Sequence, residues 1–424
     1  MDVSITDINQ VEKELHVHAT ADELAPHFDK AYQKQRAKIE INGFRKGKAP
    51  LDLVKKLHGE AIEYGSLDDV ASDFYRQIVQ ERDIKPIGDP VLTDIDYKRG
   101  EALSFKVKYE VKPLVELKEY KGVPVEKVIH TLAGQEVNDE ITKLRSSNST
   151  TTEVAQVTDE EHIVTIDVQQ LDETGTPLIG KKSENVRVYL ADEQVYPEIK
   201  QALRNAAVGV AVPANVELTQ NDQKQTNRLE LTPKKIEKVT LPEFNDEFVG
   251  KITKGKVGSV DEFMIQLRTD LSQYWHDWSE RQLADNLIGE IVRRHDVTVP
   301  ESMVRGVLDS MLEDYKNRLP NKKLPAGFNE KEFRDQNRGY AIFQAKWYLI
   351  RERIIEAEGF TADDTDIERQ VEIDAPKMGI EKDRLLSFYK SSEPIKDRIV
   401  SDKLVNFLRQ NAQVTERVAD ETEG

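Results

Sequence analysis

Apolar positions recur along this chain at two periods, and the change of period divides it into segments. Residues 14–18 alternate apolar and polar like a half-buried strand. Thr20-Ala-Asp-Glu23 has capping-box spacing. Leu24, Phe28, Ala31 and Tyr32 then recur at helical spacing, predicting a helix to about Glu40. Residues 41–50 break the pattern. Helical spacing returns at 51–58 and 67–82, and two strand-like runs, 91–96 and 103–111, meet at a turn around Arg99-Gly100. Residues 113–150 are charged and then polar, with a candidate helix at 135–144. The tract Ser146-Ser-Asn-Ser-Thr-Thr-Thr152 reads as a linker and a domain boundary. Beyond it the strand period dominates: 162–169, 184–190, 210–218 and 228–239 read as strands, with a short helix at 198–203.

From about residue 241 the pattern is helical almost to the end. Ser259-Val-Asp-Glu262 is a second capping box, and an apolar face from Val260 to Ile291 predicts a helix of about 35 residues, roughly 50 Å long. Val299-Pro300-Glu301 restarts a helix with proline near its first position. Further helices are predicted at 330–358, 366–373, 382–390 and 394–410. The expected organisation is multidomain α+β: a mixed unit over 1–112, a connecting segment over 113–150, a small mostly-β domain over 151–240, a helical domain over 241–413, and a disordered acidic tail over 414–424.

Composition narrows the function classes. The chain has 424 residues, about three domains by length. It is 33% charged with only 7% aromatics, which suits an elongated, surface-rich protein. Lys and Arg number 61 against 78 Asp and Glu, a net charge of −17, so contact with nucleic acid must come from a local basic patch. There is no cysteine, which removes disulfides, thiolate metal sites and cysteine nucleophiles. No apolar run approaches the length of a membrane span, and residues 1–7 do not read as a secretion signal, so a cytoplasmic protein with no membrane partner is expected.

Catalytic motifs are scarce. Gly-x-Ser-x-Gly, His-Glu-x-x-His and Gly-x-Gly-x-x-Gly do not occur. His16 and His18 share a strand face but lack a nearby third ligand, so they read as solvated histidines; no metal and no cofactor are expected. The loop Gly43-Phe-Arg-Lys-Gly-Lys-Ala-Pro50 is not a phosphate-binding P-loop. Three residues rather than four separate its glycines, and Ala49 follows Lys48, so no nucleotide is expected. Residues 30–56 carry nine basic side chains and two acidic ones, a local +7 within a chain of −17. An apolar Phe44 ringed by cations suits docking onto a partner that is partly anionic and partly protein, as a ribosome surface is.

Gly43-Phe44-Arg45-x-Gly47-x-x-Pro50, following a basic helix, resembles the signature loop of the bacterial trigger factor family. Leu241-Pro-Glu-Phe-Asn-Asp-Glu-Phe248 resembles the segment leading into that family's C-terminal domain, and Val299-Pro-Glu-Ser302 resembles its turn between long helices. The resemblance covers essentially the whole chain. It implies a ribosome-binding domain that docks beside the polypeptide exit tunnel, on protein and rRNA, through Gly43, Phe44, Arg45, Lys46 and Gly47. It implies a middle domain of FKBP-like fold with peptidyl-prolyl isomerase activity. It implies helices that form a body with arms, packed with the segment preceding the middle domain. Together these hold nascent and unfolded polypeptides without ATP, during folding and export, and the family's habit off the ribosome implies a weak homodimer.

The middle domain departs from the family pattern. Val164-Thr-Ile-Asp167 matches, but Val168 takes a Phe position, Leu178 and Ile179 stand where another Phe is usual, and Val186 replaces a third. Tyr196-Pro-Glu-Ile199 stands in for Ile-Pro-Gly-Phe, and the hairpin 219–227 is polar. Asp167, Tyr196 and Ile199 are the matching pocket candidates. A twisted X-Pro amide is favoured by a dry, ring-lined pocket rather than by an acid or base, so weak or absent isomerase activity is expected. Two rival readings stand beside the chaperone: an active prolyl isomerase with accessory helices, and an assembly adaptor for one fixed partner. Tyr274, Trp275 and Trp278, and likewise Phe343, Trp347 and Tyr348, read as helix core or as dispersed apolar contacts for clients.

Overall fold

The computed structural model describes residues 1–220 and 223–419, with the side chains of 218–220 and 223–225 outside the description. The chain divides into two compact units, Met1–Val128 with Glu280–Arg417, and Ile129–Ser279 with the segment from Val418.

In the first unit, β1 (Asp2–Asp7) and β2 (Glu12–Ala19) precede α1 (Ala21–Arg36), α2 (Leu51–Tyr64) and α3 (Leu67–Glu81), and β3 (Pro86–Tyr97) and β4 (Leu103–Val111) follow. The strands form an antiparallel sheet in the order β1-β2-β4-β3. Leu15 lies opposite Val107 and Val17 opposite Phe105. Alternate side chains of a strand share a face, so these residues cover one side of the sheet, where Leu24 and Phe28 of α1, Val54 of α2 and Phe74 and Ile78 of α3 join them in one core.

β5 (Pro124–Ile129) follows a charged stretch, and α4 (Gly134–Ser147) opens the second unit. There β6 (Thr150–Val154), β7 (His162–Leu171), β8 (Pro177–Tyr189), β9 (Val212–Gln220) and β10 (Gln223–Thr240) form a five-stranded sheet in the order β6-β10-β7-β8, with β9 also paired to β10, and the helix α5 (Pro197–Leu203) falls between β8 and β9 in the chain. Its core consists of Val164, Ile166, Leu190, Leu203, Leu231, Ile236 and smaller aliphatic neighbours.

The helices that follow are α6 (Asp246–Ile252), α7 (Val260–Arg294), α8 (Glu301–Arg318), α9 (Glu330–Glu358), α10 (Asp364–Met378), α11 (Lys382–Ser391) and α12 (Glu393–Gln410), ending in β11 (Gln413–Val418). Local chemistry sets their ends. The Asn329 side chain accepts the Glu332 amide to open α9, and Gly359, at φ 68°, closes it in the left-handed conformation that glycine adopts without strain. In the first unit, Leu283, Leu287 and Ile291 of α7 meet Leu349, Ile350 and Ile354 of α9 and Leu404 and Leu408 of α12, with Val115, Val123 and Val125 from the segment before the middle sheet. A smaller core joins Ile367, Val371, Leu385, Tyr389 and Ile399.

Two expectations are corrected here. The Ser/Thr tract is not a free linker: Ser146 and Ser147 end α4, and residues 150–154 form β6, whose Thr150 to Val154 pair with Thr240 to Ile236. Threonine is β-branched and suits a strand wherever a partner exists, and that partner lies some ninety residues away in sequence. The tail is not disordered from residue 414. β11 pairs with β5, and the Gln413 amide donates to the Val123 carbonyl at 2.9 Å. Residues 420–424 lie outside the described residues.

Asp366 illustrates how polar groups hold the smaller helical core. It is buried, its side chain bonds the Asp363 amide at 3.1 Å, and Lys403 and Arg369 contact its carboxylate. Burial pushes the carboxyl up, but the Lys403 bond and the Asp363 amide outweigh it and hold it below its ordinary 3.8. A depressed carboxyl stabilises the fold above its unfolded pKa and loses that contribution as pH falls through the folded value. Far-UV CD melts between pH 6 and pH 2.5 should therefore show acid-induced destabilisation beginning near pH 4, and Asp366→Asn should flatten that part of the profile.

Candidate functional site

The basic loop is built from both of its ends. α1 closes at Arg36, with the Lys38 and Ile39 amides bonded back to the Gln35 carbonyl. Ile39 and Ile41 pack partly on the core below, and Ala49 is buried just before Pro50 caps α2. Between these anchors the chain makes two short turns. The Phe44 amide donates to the Ile41 carbonyl at 3.0 Å, and the Lys48 amide to the Arg45 carbonyl at 2.9 Å. Gly43 and Gly47 sit at φ 88° and 78°, a conformation that favours glycine. The turns thus present Phe44, Arg45 and Lys46 outward, and Phe44 keeps 43% of its surface exposed.

The charge at this loop is uncommitted. Among the described residues, Arg45, Lys46 and Lys48 form no ion pair, whereas Lys34 lies 3.3 Å from Asp69 and Lys55 2.7 Å from Asp29. An exposed ring among unpaired cations can insert into an apolar recess while the cations meet phosphate or carboxylate groups.

Behind the loop lies a carboxylate that sequence reasoning missed. Glu63 of α2 is buried and accepts the hydroxyl of Tyr32 on α1, the hydroxyl of Tyr97 at 2.8 Å and Nε of Arg99 at 3.1 Å. Burial, followed by the bond to Glu63, pushes the Tyr32 phenol up to about 12 and raises Tyr97 as well. Gly59 leaves the room this network needs, since a Cβ there would lie 2.5 Å from Nη2 of Arg99. The network fixes α1 against α2, the two stems of the loop. In the sequence, Glu63 looks like one more polar helix position.

The middle-sheet candidates differ in their surroundings. Asp167, on β7, is buried, accepts the Asn185 amide at 3.1 Å and lies 3.3 Å from Lys234 and 3.5 Å from Lys182. The Asn185 amide and then the Lys234 ammonium hold its carboxyl below the usual range. Tyr196 precedes α5 and is 45% exposed, while Ile199 packs partly against the aliphatic core. Val168 and Val186 join that core, and Ile179 is fully exposed. Residues 153–240 contain two aromatic side chains, Tyr189 and Tyr196. The Tyr189 hydroxyl donates to Glu161 at 2.7 Å, so the more buried of these rings already has a polar partner. The hairpin tip at 221–222 lies outside the described residues.

The remaining candidates separate cleanly. His16 lies 2.7 Å from Glu14 and His18 2.9 Å from Ser104, and among the described residues no cluster of three metal-ligating side chains occurs. Phe343 and Trp347 pack on the helical core, whereas Tyr274, Tyr340 and Tyr348 are exposed. Trp275 stacks on His130 with centroids 3.8 Å apart, and its indole N–H donates to Glu136 at 3.0 Å. Tyr274 and Trp275 line a cleft of about 560 Å³ with Leu267 and Leu271, rimmed by Asp139 and Asp270. No helix among the described residues is long and apolar enough to cross a membrane.

Comparison with known proteins agrees along the chain. Residues 1–144 match the family model described as bacterial trigger factor protein, and residues 259–410 match the model of its C-terminus. The trigger factor of Salinibacter ruber is 31% identical over 99% of this chain and 96% of its own length. That of Chlorobium phaeobacteroides is 30% identical over 98% of both chains. A solved chain from work on "Promiscuous Substrate Recognition in Folding and Assembly Activities of the Trigger Factor Chaperone" aligns over 97% of this chain and 99% of its own, at 18% identity and a TM-score of 0.49.

The Glu63 network generates a graded expectation. Glu63→Ala leaves buried hydroxyls without their acceptor and should cost about 3 kcal/mol. Gly59→Ala displaces only the end of Arg99 and should cost about 1 kcal/mol or less. Urea denaturation followed by tyrosine absorbance should rank the two variants in that order.

Proposed function

This chain belongs to the bacterial trigger factor family, and from that premise we propose a division of labour among its parts. Family membership makes it a cytoplasmic, ribosome-associated chaperone. In the finer reading, Gly43–Gly47 is the ribosome contact: Phe44 is the wedge, and Arg45 and Lys46 engage rRNA phosphate and acidic protein groups near the tunnel exit. The helical segments hold nascent chains through dispersed exposed side chains such as Tyr274, Tyr340 and Tyr348. Such holding draws on weak apolar contacts rather than on nucleotide hydrolysis.

The observation that carries the docking assignment is the exposed Phe44 set among three unpaired cations on a doubly anchored loop. Burying one phenylalanine is worth about 1.5–3 kcal/mol, and the cations add a salt-sensitive attraction. Replacing Phe44, Arg45 and Lys46 together by alanine should abolish co-sedimentation with ribosomes while leaving the helical CD signal intact. Co-sedimentation of the unaltered chain should weaken as salt rises. Normal pelleting of the triple variant would sink the assignment.

For the middle unit the reading is isomerase activity that is weak or absent. The barrier to X-Pro rotation is about 18–20 kcal/mol, and lowering it requires surroundings that favour the twisted amide. An all-aliphatic core, an exposed Tyr196, a Tyr189 bonded to Glu161 and an Asp167 engaged by two lysines offer little of that. The full-length chain should leave the rate of a proline-limited refolding reaction nearly unchanged. Clear catalytic acceleration would instead favour an active prolyl isomerase with accessory helices.

A further inference from the structure

The segment Val299-Pro-Glu-Ser302 takes no part in the docking loop or in the middle unit, yet contacts from the N-terminal domain converge on it. α8 begins at Glu301, and the first N–H groups of any helix lack intrahelical partners. The residue before it is Pro300, which supplies no side-chain cap. The cap comes instead from β4. Both carboxylate oxygens of Glu110 are used, accepting the Glu301 amide at 3.1 Å and the Ser302 amide at 2.9 Å. A carboxylate at a helix N-terminus is favoured by the helix dipole as well as by the bonds.

Three further contacts surround this cap. Gly88 of β3, at φ 65°, lies so close that a Cβ there would sit 2.5 Å from the Ser302 Cβ. The Thr298 hydroxyl donates to the Gln10 side chain at 2.9 Å. Lys112, just after β4, bonds both carboxylate oxygens of Glu352 on α9 at 3.0 Å and lies over the Tyr348 ring. The capped residue is itself tied onward, since the Arg338 guanidinium of α9 grips Glu301 with two bonds of 2.7 and 2.6 Å. A chain of polar contacts thus runs from the sheet of the N-terminal domain through the start of α8 to α9.

We propose that Glu110 is a positioning residue for chaperone action: its carboxylate holds the ribosome-docking domain in one orientation against α8 and α9. Docking through the loop then places the client-holding helices, instead of leaving them tethered by the segment after Lys112 alone. This rests on the docking reading above and names the joint that makes docking useful. The side-chain bonds across the joint are polar, and the cap is the one that ties β4 to the first turn of α8.

The test uses the full chain, which has no cysteine of its own. Glu60→Cys and Asp314→Cys, both exposed positions on the two sides of the joint, accept a donor and an acceptor dye. The parent should give one narrow transfer-efficiency peak. Glu110→Ala should broaden or split it, and Glu110→Gln, which keeps one accepting oxygen, should fall between. Amide exchange at Glu301 and Ser302 should accelerate roughly tenfold in Glu110→Ala, the equivalent of one lost hydrogen bond. Affinity for empty ribosomes should stay within about threefold of the parent, because loop charge and Phe44 are untouched. Protection of a ribosome-tethered aggregation-prone client should fall. Unchanged peak width and exchange in both variants would overturn the proposal. If Glu110→Ala loses its helical CD signal, the isosteric Glu110→Gln decides by the same readings. The loop variant is scored separately: ribosome binding by that variant would refute the docking reading, while the dye distances would still judge the joint.

Discussion

Packing of α1, α2 and α3 on one face of a four-stranded sheet is the constraint on which the exposed basic loop depends. The loop between α1 and α2 has no core of its own. It holds its two turns because Ile39, Ile41 and Ala49 are drawn into the core beneath it and because Glu63 fastens one stem to the other. A glycine-containing loop without such anchors would lose much of its affinity to the entropy of ordering on contact. The exposed Phe44 is tolerable in solution because it is a single ring among cations rather than part of a wide apolar patch.

A chain that is one-third charged has little apolar material to spend on any one core, and it closes several instead. The N-terminal sheet, the aliphatic middle sheet, the α7–α9–α12 core and the small α10–α12 core are each closed by their own residues. Small cores leave polar contacts to set orientation between elements, as Glu110 does for α8 and Lys403 with Asp366 does for α12 against α10. The middle sheet shows the consequence for chemistry. Valine and isoleucine fill its interior well enough to keep the fold, but aliphatic packing supplies no ring faces for a twisted amide.

Much of this was legible beforehand where the signal is local. The predicted helix 330–358 coincides with α9, whose ends the structure shows set by Asn329 and Gly359, and the 35-residue α7 followed from an uninterrupted apolar face. The exposed basic loop was legible because two glycines, a proline and nine basic side chains crowd a short stretch. Four strands escaped: β1, β5, β6 and β11. Each is short; β1 pairs with its neighbour β2, while the other three exist because a distant strand pairs with them, β11 with β5 across almost three hundred residues.

Sequence alone determined the periods, the caps, the surplus of positive charge around Phe44 and the scarcity of rings in residues 153–240, because each is a property of neighbours along the chain. Tertiary structure decided which acids matter. Glu63, Glu110 and Asp167 are three among seventy-eight acidic residues, and nothing beside them in sequence sets them apart. One is closed in by two tyrosines and an arginine, one meets the bare end of a helix nearly two hundred positions later, and one lies between two lysines. A carboxylate's role depends on what desolvates it and what donates to it. Those partners come from other elements, so only the folded chain could assign it.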